Sequence, residues 1–243
     1  LSPGEEDALG RPLRLVNVRE VMEAALEAGR WTHPKAGPGH GRGVAIFGRQ
    51  IGGGIAGAVV TAEADGTFTV ISPTVDIGTG THTIEQQIVA SEMNVPLSQV
   101  QVHQGDTEST PYDEGPRASR VTYTEGQAVI NACAQLRQAI LDGVSLPHTV
   151  TVEHNAPEPE DITYFSAQIA EVEVDLETGH VKVLRLTTAH DVGTVINPLA
   201  HQGQIDGGVV TGLGLALTEE LMLDAGHVLN GNLGEYKIPT IAD

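Results

Sequence analysis

Basic residues, cysteine and aromatic residues are all scarce in this sequence. Its 243 residues include 13 Lys and Arg against 32 Asp and Glu, which gives a formal net charge of −19. An acidic surface repels phosphate backbones and anionic lipid headgroups, so binding to nucleic acid or to a membrane surface is disfavoured. No apolar run approaches the roughly 20 residues of a membrane span, and no basic-then-apolar signal peptide opens the chain.

Cys133 is the single cysteine of the sequence. An intrachain disulfide, a Cys-rich zinc site and an iron–sulfur cluster held by this chain alone each need several thiolates and are therefore excluded. Cys133 falls on the apolar face of a predicted helix, which favours packing over a nucleophilic role. These features are typical of a protein from a reducing, cytoplasmic compartment.

Glycine, by contrast, is abundant, with 29 residues among 243, well above the usual ~7%. Two long segments share one plan: a hairpin with an acidic turn, then an Asp-x-Gly sequence and a polar, Gly-rich loop that leads into a helix. They span residues 59–78 and 172–193. An internal duplication, or one supersecondary unit used twice, is the most economical interpretation. It predicts an α+β fold with mixed or antiparallel sheets and packed helices.

Hydrophobic periodicity and turn residues place the individual elements. Asn17 and Glu20 have capping-box spacing before an apolar stripe that ends at Gly29, which predicts the first helix. We divide the chain into an N-terminal helix and loop (1–40), a first half (41–147) and a second half (148–243). Further strands are predicted near 44–47, 57–63, 67–72, 100–103, 149–153, 168–175 and 180–189, with helices over about 84–93, around 129–140 and after 198.

The Gly-rich loops are candidates for ligand binding. A loop that opens a helix points free N–H groups and a positive dipole end at whatever lies in front of it. Hydroxyls and an imidazole line the first loop around Gly78 and Gly80, while Asn197, Gln202 and Gln204 offer amides in the second. Neither loop has Walker A or Rossmann spacing. The loops together suggest a phosphorylated heterocycle; the alternative is that each is merely a tight turn before a capped helix.

A second concentration of polar groups lies at residues 113–124. Arginine forks and hydroxyls are the usual equipment for phosphate recognition. The alternative is a surface loop in which the arginines pair with neighbouring carboxylates. The groups are Arg117, Ser119, Arg120 and Thr122, with Asp113 and Glu114 as the carboxylates.

Five segments carry a resemblance to a known family. In order, they are VDIGTGTHT, VQVHQGDT, GPRASRVTYTEGQAV, VEVDLETGHVKVLRLTTAHDVGTVINP and HQGQIDGGVVTGLGLALTEE. They resemble the molybdopterin-binding large subunit of the xanthine dehydrogenase/aldehyde oxidase family, over most of the chain from about Gly41. The resemblance implies a molybdenum–pyranopterin cofactor, often in its cytosine dinucleotide form in bacteria. It also implies oxidation of an aldehyde or N-heterocycle with water as the oxygen source, and electron transfer to iron–sulfur and FAD partner subunits.

The resemblance assigns cofactor-binding roles residue by residue. Gly78, Thr79 and Gly80 match the loop that lies against the cofactor, where many members have Gln in place of Thr79. Gln204 matches a pterin-contacting glutamine. No metal ligand and no catalytic residue is assigned to this chain. The segment that hydrogen-bonds the pterin and phosphates is matched by Arg117, Ala118, Ser119 and Thr122.

Two family motifs are absent from the sequence. The upstream Gly-Gly-x-Phe-Gly segment is missing, and so is the C-terminal Gly-x-Gly-Glu motif whose glutamate is the general base. We therefore expect a fragment, or one piece of a split subunit, that cannot turn over substrate without the remaining segments of the large subunit. The alternatives are a non-catalytic assembly or interaction domain with the same fold, and a binding module for another phosphorylated small molecule.

Overall fold

Two sheets, of three and four strands, and a small two-stranded sheet organise the described part of the molecule. In this computed structural model the structure describes residues 4–6, 10, 17–159 and 163–240. The helices are α1 (Val18–Ala28), α2 (Thr81–Met93), α3 (Val121–Leu141) and α4 (Pro198–Leu217), with a 3-10 turn at Leu97–Gln99. The strands are β1 (His40–Gln50), β2 (Gly54–Ala62), β3 (Phe68–Ser72), β4 (Val100–Gln104), β5 (His148–Ala156), β6 (Thr163–Val174), β7 (Val181–Asp191), β8 (Leu223–Asp224) and β9 (His227–Val228).

The larger sheet has the order β4-β3-β2-β5. The β2–β3 and β2–β5 pairs are antiparallel and the β3–β4 pair is parallel. The predicted hairpin turn lies between β2 and β3, where Asp65 Oδ1 accepts the Thr67 N–H at 3.0 Å and Gly66 has a φ of +87°. Helices α2 and α3 pack on this sheet.

The main core fills the space between this sheet and its helices. Apolar residues recur at helical spacing along α3, so one face of the helix is buried while the other meets solvent. Cys133 lies on that buried face, as predicted, and is fully buried. The core residues include Val60, Val70, Val89, Val129, Cys133 and Leu136.

The smaller sheet is antiparallel throughout, with the order β1-β6-β7. Helix α1 packs on it and buries Val21 and Ala25 against Phe165 and Ile169. The predicted capping box of α1 is wrong, because Asn17 makes no side-chain cap. Its side chain donates instead to the carboxylate of Asp191, at the end of β7.

Strand β1 is longer than its sequence predicts, running from 40 to 50 instead of 44 to 47. Its Gly-rich first residues become strand because β6 supplies hydrogen-bonding partners along the whole length. The Arg42 guanidinium also donates to Glu171 on β6 at 2.8 Å. Cross-strand pairing, rather than local propensity, therefore sets this element's length.

The fold contains the same unit twice, and the α+β architecture is confirmed. Hairpin β2–β3 leads through an Asp-x-Gly loop into α2, and hairpin β6–β7 leads through a second such loop into α4. Strand pairings cross the boundary predicted between residues 147 and 148 in both directions, since β1 joins β6 and β5 joins β2. The division into two cofactor-binding halves stays a prediction. Among helices of the described ranges, none has the length and apolarity needed to cross a bilayer.

Candidate cofactor-binding site

The first Gly-rich loop is shaped by Asp76. Its Oδ1 atom accepts the N–H groups of Gly78 at 2.9 Å and Gly80 at 3.1 Å. Both glycines have positive φ, +100° and +85°, which side-chain-bearing residues rarely adopt. Burial raises the pKa of Asp76, but the backbone N–H groups and nearby His82 lower it more, so that its net pKa falls below 3.8. The loop is therefore held around an ionised carboxylate, and α2 begins directly after it.

The second loop repeats this arrangement before α4. The Oδ1 atom of Asp191 accepts the Gly193 N–H at 3.2 Å. Asn197 caps the helix, because its side-chain oxygen accepts the Ala200 N–H at 3.1 Å, and Pro198 occupies the first turn. Pro fits there because the N–H that it lacks has no partner within the helix. Each loop thus ends in a fixed helix N-terminus.

The structure brings the two loops together. A Cβ atom built on Gly80 would lie 3.3 Å from the Ala200 Cβ and 3.9 Å from the Asn197 side-chain nitrogen. The Gln87 amide on α2 also donates to the Ile196 carbonyl at 3.3 Å. The N-terminal ends of α2 and α4 are consequently neighbours, and their positive dipole ends combine near one place. The proximity of the two loops therefore favours a ligand that both contact over the alternative that each loop is merely a tight turn before a capped helix.

A third loop opens α3 at the same end of the molecule. Contacts between α2 and α3 advance in the same direction along both helices, from the first-turn region, where Glu85 meets Glu125, to Glu92 and Arg137, whose side chains lie 3.4 Å apart. The two helices are therefore parallel. Their N-termini face the same side.

The backbone of the third loop is strained. Ala118 and Ser119 have φ values of +49° and +56°, and each non-glycine residue in this conformation costs about 1–2 kcal/mol. The Gly52 N–H donates to the Ala118 carbonyl at 2.9 Å and helps to hold the conformation. Strain of this kind persists where surrounding contacts impose it, and it is concentrated at ligand-binding sites.

Arg120 has a structural role in this loop. Its side chain is 1% exposed and donates to the carbonyls of Gly53 at 2.8 Å, Ile55 at 2.5 Å and Gly115 at 3.1 Å. It also lies 3.7 Å from Asp113. These partners occupy the guanidinium, so the structure favours the predicted alternative of arginine–carboxylate pairing over phosphate recognition by this residue.

The other predicted residues of the loop are accessible. Arg117 is half exposed and its guanidinium contacts the Glu114 carboxylate. The N–H of Ile55 and the side chain of Arg117 lower the pKa of Glu114. Ser119 and Thr122 are exposed at the start of α3, and Gln204 is exposed on the second turn of α4. Arg117 thus pairs with a neighbouring carboxylate, as in the predicted alternative, while its half-exposed side chain stays accessible to a ligand. The cofactor-binding roles of Arg117, Ser119, Thr122 and Gln204 stay predictions.

Two imidazoles near the loops have unused buried nitrogens. The Nε2 atoms of His82 and His190 are both buried without a hydrogen-bond partner. Burial, and to a smaller extent the nearby His201, lower the pKa of His190. Sequence reasoning placed His82 in the first loop but missed His190. Its position immediately before Asp191, where the duplicated unit turns from strand into loop, was the available signal.

Sequence reasoning also missed a buried acidic pair. Glu85 and Glu125 are 2% and 1% exposed and lie one turn inside α2 and α3. Glu125 stands on the same helical face as Ala128 and Val129, so the periodicity that marks the core also placed this carboxyl inside it.

The donor set fits an anionic, heterocyclic cofactor. Backbone N–H groups at adjacent helix ends, exposed Arg117 and the unsatisfied imidazole nitrogens are suited to phosphates and to polar ring edges. In the part of the chain that the structure describes, no group of three or more His, Cys, Asp or Glu side chains is placed to hold a metal ion.

Comparison with known proteins decides the family. The family model of the molybdopterin cofactor-binding domain matches residues 18–156 and 142–243. The chain belongs to this family. It is 31% identical to the putative xanthine dehydrogenase molybdenum-binding subunit XdhA of Escherichia coli K12, over 96% of this chain and 38% of that protein. It is 30% identical to the E. coli K12 aldehyde oxidoreductase molybdenum-binding subunit PaoC, with the same two coverages.

Solved structures share the fold. Quinoline 2-oxidoreductase from Pseudomonas putida 86 matches 98% of this chain over 39% of its own chain, with a TM-score of 0.84 at 22% identity. The aldehyde oxidoreductase of Desulfovibrio gigas matches with a TM-score of 0.77 at 24% identity, over 98% and 30% of the two chains. The resemblance predicted from the five sequence segments is confirmed. The chain spans 38% of the length of the first curated relatives.

Proposed function

We propose that this chain forms part of the binding site for a molybdenum–pyranopterin cofactor in a molybdenum hydroxylase. The observation that carries the proposal is the meeting of the Gly-rich loops at Gly80 and Ala200, with the strained α3 loop opening toward the same side. Three helix N-termini then offer backbone N–H groups to one bulky anion, in a chain whose net charge of −19 would otherwise repel it.

Each loop has a distinct task in this proposal. Gly78, Thr79 and Gly80 bring the main chain against the cofactor, because the two glycines carry no side chain that would keep a ligand away from the loop backbone. Arg117, Ser119 and Thr122 hold the phosphates and the pterin edge, with Ala118 supplying the turn. Gln204 contacts the pterin through its amide, which can both donate and accept.

The reaction we propose is oxidation of an aldehyde or N-heterocycle, with water as the oxygen source. When bound, the cofactor supplies the redox chemistry at the reacting carbon. This chain's residues bind and orient the cofactor, while remaining segments of the large subunit supply the general base. Iron–sulfur and FAD subunits are the proposed electron acceptors, since one cysteine cannot hold a cluster. The cytosine dinucleotide form and a cytoplasmic location are proposed with them.

Metal and pterin analysis of the full native assembly tests this function. We expect molybdenum and the fluorescent oxidised pterin in equal amounts, CMP after acid hydrolysis, and flavin and iron–sulfur absorbance from co-purifying subunits. A fully assembled sample without molybdenum or pterin would overturn the proposal and favour a non-catalytic assembly domain. Absence of CMP alone would overturn only the dinucleotide form.

A further inference from the structure

Two buried glutamates meet where α2 packs against α3. Glu85 lies four residues inside the start of α2 and Glu125 four residues inside the start of α3. They are 2% and 1% exposed, and their carboxyl groups are within hydrogen-bonding reach of each other. The contact therefore lies one helical turn behind two of the three proposed cofactor loops.

Few fixed donors serve these carboxyl groups. The Ser72 hydroxyl is 3.4 Å from one oxygen of Glu125, and it also reaches the Thr74 carbonyl at 3.0 Å. The other oxygen of Glu125 and both oxygens of Glu85 are buried without a hydrogen-bond partner. The Thr74 hydroxyl, also buried without a partner, lies near Glu125. Two ionised carboxylates can only accept, so they cannot satisfy each other; a protonated carboxyl can donate to its neighbour.

The surrounding charges do not stabilise two ionised carboxylates at this position. Within the described ranges neither glutamate takes part in an ion pair. Asp113 and Asp76 face the pair as further acids. Arg120, five residues before Glu125 in the chain, is already shared by Asp113 and three backbone carbonyls. Like charges in contact and away from water favour retention of a proton.

We propose that Glu85 and Glu125 form a proton-sharing carboxyl pair that fixes α2 against α3 and so positions the loops at their N-termini. The positioning role rests on the proposed cofactor-binding function; the shared proton does not. Neither residue is catalytic, since each acts through the helix that carries it. Burial and the adjacent Glu85 raise the pKa of Glu125 to about 10, and burial raises that of Glu85.

The sign of the pH dependence follows from these shifts. The folded-state pKa of Glu125 lies above its usual 4.5. The folded protein therefore holds about one proton more than the unfolded chain between those values, and the stability contributed by the pair is complete below about pH 4.5 and lost as pH rises toward about 10. Loss of the proton leaves two charges in contact, which would push the starts of α2 and α3 apart.

Infrared spectroscopy of the full native protein tests the shared proton directly. We expect the carbonyl band of a protonated carboxyl at neutral pH, shifted by ¹³C-labelling of glutamate. The band should disappear in the Glu85→Gln/Glu125→Gln double variant and remain in Glu92→Gln, a matched control on α2 whose side chain pairs with Arg137. Absence of the band in unsubstituted protein, or its survival in the double variant, would overturn the proposal. The ¹³C-labelling experiment uses the unsubstituted protein, so its result does not depend on whether a variant folds.

Measurements of stability and of bound molybdenum test the shared proton and the positioning role separately. Between about pH 6 and about pH 9, stability should fall with rising pH in the unsubstituted protein and fall less in the double Gln variant. Because Gln keeps the shape and neutrality of a protonated Glu, the double variant should keep at least half of the bound molybdenum, whereas Glu125→Lys should lose most of it. Equal molybdenum loss in the Gln and Lys variants would overturn the positioning role. Molybdenum-free unsubstituted protein would sink the proposed function, while the infrared result would still stand.

Discussion

Gly80 and Ala200 join the two repeated units of this fold. A Cβ atom at Gly80 would lie 3.3 Å from the Ala200 Cβ, closer than most side-chain contacts allow. The absence of a side chain at residue 80 therefore lets the first loop approach the N-terminus of α4 this closely without displacing Ala200. Its φ of +85° imposes the same requirement independently.

The substitution Gly80→Ala should consequently have two effects. Positive φ costs an alanine about 1 kcal/mol or more, and the contact with Ala200 should shift the loop and lower molybdenum and pterin content severalfold. Gly66→Ala is the matched control, since Gly66 has a φ of +87° and no atom within 4 Å of the added methyl. Denaturant unfolding and metal analysis of both variants check this. Equal cofactor loss in both would contradict a local role for Gly80.

The two arginines of the third loop should behave differently. Arg120→Met leaves three carbonyls and Asp113 without their buried partner, and we expect a loss of about 3–5 kcal/mol in the free energy of unfolding. Arg117→Met removes a half-exposed contact with Glu114 and should cost less than about 1 kcal/mol. It should nevertheless lower cofactor content. Denaturant titration and molybdenum analysis separate the two outcomes, and a large stability loss for Arg117→Met would contradict the assignment.

Local sequence signals predicted the repeated unit well. Alternating apolar residues around Ala64, Asp65 and Gly66 predicted the first hairpin, and the structure has it. The glycines at 78 and 80 predicted a loop that leads into a helix, and the structure has this loop with positive φ at both glycines. The helix itself begins at Thr81 rather than near Ile84, because polar residues occupy its first turn and carry no apolar periodicity.

Long-range contacts were beyond the reach of such signals. The pairing of β1 with β6 places residues such as Val44 and Ile169 opposite each other. Neither segment contains a local sequence signal that identifies the strand with which it pairs. Residue type likewise did not reveal that Arg120 is buried. The contact between Glu85 and Glu125 depends on the parallel packing of two helices, so only the assembled fold brings the carboxyls together.

Cys133 should be chemically inert in the folded protein. It is fully buried, and burial, with a smaller effect of Glu92, raises the pKa of its thiol to about 12. Because the thiolate is the reactive form, we expect negligible labelling by a thiol reagent at neutral pH, and one labelled thiol per chain after denaturation. Cys133→Ala should cost about 1–2 kcal/mol through lost packing, and Cys133→Ser should cost more because it buries a hydroxyl. Rapid labelling of folded protein would contradict this assignment.

Asp76 should make the first loop sensitive to acid. Its carboxylate accepts the N–H groups of Gly78 and Gly80, and its pKa is lowered from 3.8 despite an opposing effect of burial. A lowered folded-state pKa means that the stabilisation is present above about pH 3.8 and lost as pH falls through the folded value. Asp76→Asn removes the charge but keeps an acceptor oxygen. The variant should therefore be less stable than the unsubstituted protein near neutral pH. This difference in stability should shrink as the pH falls below about 3.8. Thermal unfolding across acidic pH measures this difference in stability.

Asp65→Asn, in the β2–β3 turn, is the control. The carboxylate of Asp65 also has a lowered pKa, but only the Asp76 variant should lose bound molybdenum at neutral pH. A constant stability difference at every pH would show that the charge of Asp76 does not hold the loop.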